Sequence, residues 1–164
     1  MSVSRDILRS YRDPAAVLAR RMQGGREDRA LVTLMLACAL IFVAQWPRLS
    51  RAAFLDPSIE LNARLAGALM GWIFLAPLLL YAVAALSHLA ARLAGGRGSH
   101  FGARMALFWA LLAASPLWLL HGLVAGFVGP GPQLALVGAV ALAAFLAIWL
   151  IGLVAVERGQ VAAG

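Results

Sequence analysis

Lysine is missing from this chain, cysteine occurs once, and no Asp, Glu or Arg lies in the centre of any long apolar run. Each of these gaps excludes something. With Cys38 alone, no intramolecular disulfide can form and thiol usage reveals no compartment. Met35, Leu36 and Ala37 ahead of it match a lipoprotein processing site poorly, so Cys38 reads as a buried thiol inside a helix. Ionisable groups at mid-membrane depth usually mark ion paths or proton relays, and their lack argues against a pump or ion-coupled transporter. Charged residues make up 13% of the chain, against about a quarter in soluble globular domains. With 63% hydrophobic residues and a mean hydropathy of +0.86, a water-soluble single domain is excluded.

What the chain does have is four apolar segments, at residues 30–46, 65–91, 103–128 and 133–156. A bilayer core is about 30 Å thick, so a spanning helix needs roughly 17 to 25 mainly apolar residues. Three segments clear that length easily. The first has 17 residues, closed by Trp46 and Pro47 and flanked by Arg29 and Arg48, which can snorkel to the headgroups. The expected fold is all-α: a polytopic membrane protein with four transmembrane helices over residues 30–156. An amphipathic N-terminal arm occupies residues 1–29, and a short tail occupies 157–164.

The net charge of +7 comes from fourteen basic residues, all arginine, against seven acids. On a soluble protein this balance would suggest nucleic acid, but in a membrane chain basic residues near span ends set orientation instead. With both termini inside, eleven arginines lie inside and three outside. The expected topology is therefore N-in and C-in, and no nucleic-acid partner is expected. Nearly thirty mostly polar residues precede the first span, which predicts a retained N-terminus rather than a cleaved signal peptide.

Within the arm, Leu8, Tyr11, Ala15, Leu18 and Met22 follow a three-four spacing along one helical face, with Arg9, Arg12, Arg20 and Arg21 elsewhere. Asp13 and Pro14 read as N-cap and first helical position, predicting a turn and then a helix from about 14 to 23, ended by Gly24 and Gly25. One reading lays this arm on an anionic leaflet through Leu8, Tyr11, Leu18, Met22, Arg20 and Arg21, at about 1 kcal/mol per well-placed Arg. The other is a solvated tail whose arginines only fix topology.

Proline punctuates the spans. Pro47 is expected to stop the first helix, leaving an outer loop over 47–64, and Pro77 and Pro116 are expected to kink the second and third. Gly129, Pro130, Gly131 and Pro132 predict a tight outer turn. Small residues recur at intervals of four: Gly67 and Gly71 in the second span, Gly122 and Gly126 in the third, and Ala135, Ala139, Ala143 and Ala147 in the fourth. Such ridges let helices approach closely in lipid, and the fourth-span ridge is expected to face protein, its own or a partner's.

Candidate chemistry is sparse. His121 lies 17 residues beyond Arg104, about 25 Å along a helix, whereas His88 lies four residues before Arg92. The two sit at opposite faces and cannot share a metal; an interfacial or hydrogen-bonded role is expected for each. No catalytic residue, metal or cofactor is assigned. The stretch from Gly95 to Ser99 lacks the Gly-Lys-Ser/Thr ending of a nucleotide-binding loop. It is still the most suggestive polar site, because Ser99 is placed to cap the third span and Arg92, Arg97 and Arg104 lie near that helix start. This arrangement suits an anionic lipid or a partner, and the plainer account is a capped turn with topology-setting charge.

Residues 91–116 read ARLAGGRGSHFGARMALFWALLAASP: a span ending in a basic residue, a Gly-Gly-x-Gly-Ser turn with a following aromatic, and a small-residue helix leading to proline. In this the chain resembles the Yip1 family of small multi-spanning membrane proteins, and RDPAAVLARRM before the first span is similar to that family's short Asp/Asn-Pro-led amphipathic segment. The family is usually described with five spans, against the four counted here. Eukaryotic relatives bind small GTPases, but the all-Arg, alanine-rich character looks like a high-GC bacterium, where such partners are not expected. The small-residue ridges, the basic inner face and the absence of intramembrane charge point to a non-enzymatic bacterial inner-membrane protein that contacts lipids and another membrane protein or itself, as a scaffold, assembly aid or accessory subunit. The alternative is a small transporter or permease component using the Pro77 and Pro116 breaks with His88 or His121.

Overall fold

Asp13 caps a helix as its position predicts: its Oδ1 accepts the Ala16 N–H at 3.0 Å, and Pro14 opens the first turn. In the computed structural model, which describes residues 3–24, 26–159 and 161, this helix is α2 (Pro14–Met22), preceded by α1 (Val3–Ser10). Gly24 follows it at a positive φ, and Gly25 lies outside the described residues. All regular structure among the described residues is helical. Four helices are long and apolar enough to cross a membrane, so the chain is a multi-pass membrane protein. The first is α3 (Glu27–Leu55). The second, Leu61–Leu93, joins α4 (Leu61–Met70) through a π-helical turn at Gly71–Leu75 to α5 (Ala76–Leu93). The third and fourth are α6 (His100–Phe127) and α7 (Pro132–Glu157).

The first of the span prolines departs from expectation. Pro47 does not end the first helix, which continues to Leu55 and leaves residues 56–60 as the link to α4 rather than a loop over 47–64. A proline in a helix interior needs room for its ring and strands one carbonyl; here a Cβ at Gly126 would overlap Pro47, so the bare glycine provides that room. The extension is put to use, since Arg51 Nη1 donates to the Gly126 carbonyl near the end of α6 at 3.3 Å. Pro77 follows the π turn, and its missing N–H would have served Ile73 inside that turn, so the widened coil absorbs the break. In the short link, hydrogen bonds from the Ser58 side chain and backbone, then from Arg64, hold the Asp56 carboxyl below the usual carboxylate range.

α6 is the axis. From Phe101 to Ser115 every residue except Arg104 is buried. α3 runs parallel to it, pairing Glu27 with Arg104 at one end and Ala44 with Gly122 at the other. α7 and α5 run antiparallel, with Gly138 beside His121, Gly152 beside Ala106, and Tyr81 edge-on to Phe108 at 4.9 Å between centroids. The second span stays peripheral; only Ala84 and His88 in it are buried. Gly67 and Gly71 accordingly meet nothing: a Cβ at either would enter open space, while one at Gly122 would overlap the Ala44 carbonyl. Gly122→Ala is therefore expected to destabilise the bundle by about 1–3 kcal/mol, read as a lower melting temperature in detergent. Gly67→Ala and Gly71→Ala should leave that temperature within error.

Candidate functional site

The arginine-rich end of the bundle gathers most of the polar chemistry, and the N-terminal arm builds half of it. Val17, Leu18 and Met22 form the apolar face of α2, and all three are buried. They enter a trough made by missing side chains: a Cβ at Gly152 would stand 3.1 Å from Leu18, and one at Gly102 would stand 3.1 Å from Met22. The arm thus turns onto protein the face whose spacing suggested lipid. Leu8, 72% exposed, faces away from the bundle. At the turn between α1 and α2 the Tyr11 hydroxyl donates to the Ala113 carbonyl at 2.9 Å. Met22 meets Gly102 and Tyr11 meets Ala113, so the arm lies along eleven residues of α6, about 16 Å. Burial raises the Tyr11 phenol above its ordinary range, which keeps it a donor.

A closed polar circuit fastens the arm. Asp6 is buried and accepts from Arg21 Nη2 at 2.6 Å and Arg20 Nη2 at 3.4 Å. The Arg21 guanidinium lies over the Trp109 ring, 4.6 Å from its centroid. Trp109 Nε1 donates to Ser10 Oγ at 2.9 Å, and Ser10 donates to the Asp6 carbonyl at 2.8 Å. Beside this circuit lies a cavity of about 520 Å³, walled by Asp6, Arg20 and Arg21 of the arm, Asp28 and Arg29 of α3, and Met105 of α6.

The glycine-rich turn between α5 and α6 forms a second polar cluster, closed by Glu157 at the end of α7. Glu157 is buried; its Oε1 lies 2.7 Å from His88 Nδ1, and its Oε2 accepts the Gly98 N–H at 2.9 Å. The Arg97 N–H reaches the Glu157 carbonyl at 2.9 Å, and the His88 ring packs on His100 with centroids 4.2 Å apart. A Cβ at Gly98 would stand 2.9 Å from the Glu157 carboxylate, which explains a glycine there on steric grounds.

The four residues proposed around this turn do not form one pocket. Ser99 caps α6, its Oγ accepting the Gly102 N–H at 3.0 Å. Arg104 pairs with Glu27 of α3. Arg97 lines a cavity of about 510 Å³ on the α7 side, while Arg92 is exposed and does not line it. The backbone donors of the turn are also committed: Gly95 to Arg92, Gly96 to Ala91, Arg97 and Gly98 to Glu157. His121 stands apart at the other end, edge-on to Trp118 at 5.9 Å. Among the described residues, no group of three or more His, Cys, Asp or Glu side chains is arranged to hold a metal.

No protein-family model, curated protein or solved structure matches the chain. The site is therefore read from its own chemistry. Sequence reasoning missed Asp6, Ser10, His100, Trp109 and Glu157. One signal was available, since Glu157 is the only acid after Glu60 and shares its end of the bundle with His88, Arg92, Arg97 and Arg104. Replacing Glu157 by Ala strands the His88 ring nitrogen and the Gly98 N–H, an expected loss of about 1–3 kcal/mol. Amide exchange at Gly98 should accelerate in Glu157→Ala and less so in Glu157→Gln, whose amide oxygen still accepts.

Proposed function

We propose that this multi-pass membrane protein works through contacts rather than catalysis, as a scaffold, assembly aid or accessory subunit. Its partner is another membrane protein or a second copy of itself. One observation carries this reading: Ala135, Ala139, Ala143 and Ala147 are all exposed along α7, while Ala141, Ile148 and Gly152 on the same helix are buried. In lipid the chains surrounding a helix are as apolar as leucine, so association depends on close packing of small residues. A four-residue ridge left open by the chain's own helices suits a second helix.

The resemblance to the Yip1 family and the all-arginine composition support a bacterial inner-membrane setting, with the arginine-rich end facing the cytoplasm. The transport alternative gains no support from the histidines, because His88 is engaged by Glu157 and His121 stands against Gly138 at the opposite end. Single cysteines introduced along α7 in a Cys38→Ala background test the proposal in native membranes. Crosslinking should follow Ala135, Ala139 and Ala143 and skip the exposed Leu142, and Ala139→Leu should weaken it. Uniform labelling of both faces, or recovery of uncrosslinked protein alone, would reject the ridge as an interface.

A further inference from the structure

We infer that the cavity between the N-terminal arm and the start of α3 binds the phosphate of an anionic phospholipid, whose acyl chain runs along α3. Charge is the first argument. Arg20, Arg21 and Arg29 line the cavity with Asp6 and Asp28. Asp6 is held by Arg20 and Arg21 and Asp28 by Arg26, which leaves Arg29, whose Nη1 donates to the Gln23 carbonyl at 2.9 Å, with no carboxylate partner among the described residues. A phosphodiester brings one negative charge, and the planar guanidinium fork matches its oxygens. Arg21 also has its Nε buried with no acceptor among the described residues. The volume of about 520 Å³ falls within the ordinary range for small-molecule sites, about 300–1,000 Å³.

The second argument is the change of character along the wall. One turn beyond Asp28 and Arg29 the lining becomes Val32 and Thr33, at the foot of the first apolar segment. From Val32, 65% exposed, an uncovered apolar strip continues through Leu36 at 41% and Val43 at 50%. Those spacings of four and seven residues keep the strip on one face of the helix. A charged recess leading into an apolar strip fits an amphiphile better than a free anion. The glycine-rich turn offers the opposite case, because its cavity has every nearby backbone donor committed. This inference does not depend on the alanine ridge of α7.

Native mass spectrometry of the detergent-purified full chain, titrated with phosphatidylglycerol, diacylglycerol and soluble glycerophosphate in separate arms, tests it. The expected result is one phosphatidylglycerol bound per chain, with neither other probe retained. Arg29→Gln should weaken that binding about tenfold, the worth of one charge-assisted hydrogen bond. Arg97→Gln removes the same charge at the other cavity and should leave binding unchanged, while Arg29→Lys should retain part of it. Equal losses in Arg29→Gln and Arg97→Gln would overturn the site in favour of diffuse charge attraction. Glycerophosphate binding as tightly as the lipid would overturn the lipid assignment, and equal retention of diacylglycerol would overturn the phosphate. If Arg29→Gln fails to fold, the three wild-type arms and Arg29→Lys still decide.

Discussion

At Gly122 the backbone of α6 presses against the Ala44 carbonyl of α3, and at Gly126 it takes in the Pro47 ring. Most other placements follow from that approach. Inside a bilayer, burying leucine against leucine gains little over burying it against lipid, so the helices that can come closest pack together. α3 and α6 are such a pair, although a whole span separates them in sequence. Once they are paired in parallel, α7 must return antiparallel along α6 from the tight turn before Pro132, and the second span is left at the edge. Its attachment runs along one edge, where Trp72, Ile73, Ala76 and Leu80 pack against the core, Tyr81 meets Phe108 and His88 meets Glu157.

Most ties made by charged side chains lie toward the two ends of the bundle. Arg51 reaches the Gly126 carbonyl at one end, while Glu27–Arg104, Asp6–Arg21 and His88–Glu157 cluster at the other. Buried ion pairs are weak stabilisers in general, because lost hydration offsets their attraction, but breaking one strands a charge. They therefore act as register marks. Glu157 can satisfy His88 Nδ1 and the Gly98 N–H together only at one setting of α7 against the glycine turn.

The spans, their order and the Asp13 and Ser99 caps were legible in the sequence because each depends on local composition or on a residue and its near neighbours. The behaviour of Pro47 was not. Whether Pro47 ends a helix depends on whether something opposite makes room for its ring, and that something is Gly126, 79 residues away. The same limit hid the arm. Spacing identified an apolar face on Leu18 and Met22, but choosing between lipid and protein for that face requires knowing that Gly102 and Gly152 come together as a trough. Periodicity reports that a face exists and is silent about what meets it. The spacing of Gly67 and Gly71 matches that of Gly122 and Gly126, yet only the latter pair is used within the chain.

The arm's seat joins these constraints. Pro116 deprives Leu112 of its helical donor, and the next carbonyl, Ala113, is the one that accepts the Tyr11 hydroxyl. The carbonyl that Pro116 frees is thus not the one the arm uses; Tyr11 bonds its neighbour, deep along α6. One turn back along α6, Arg21 is shared between Asp6 and Trp109, and Met22 at Gly102 closes the far end of the seat. Because Asp6, Arg20 and Arg21 also form one wall of the cavity beside α3, that cavity exists only while the arm is seated. Any ligand held there must favour the seated arm by the same free energy with which the seated arm favours the ligand. Detachment of the arm therefore removes the cavity, and the short helices before the first span are part of the packed bundle.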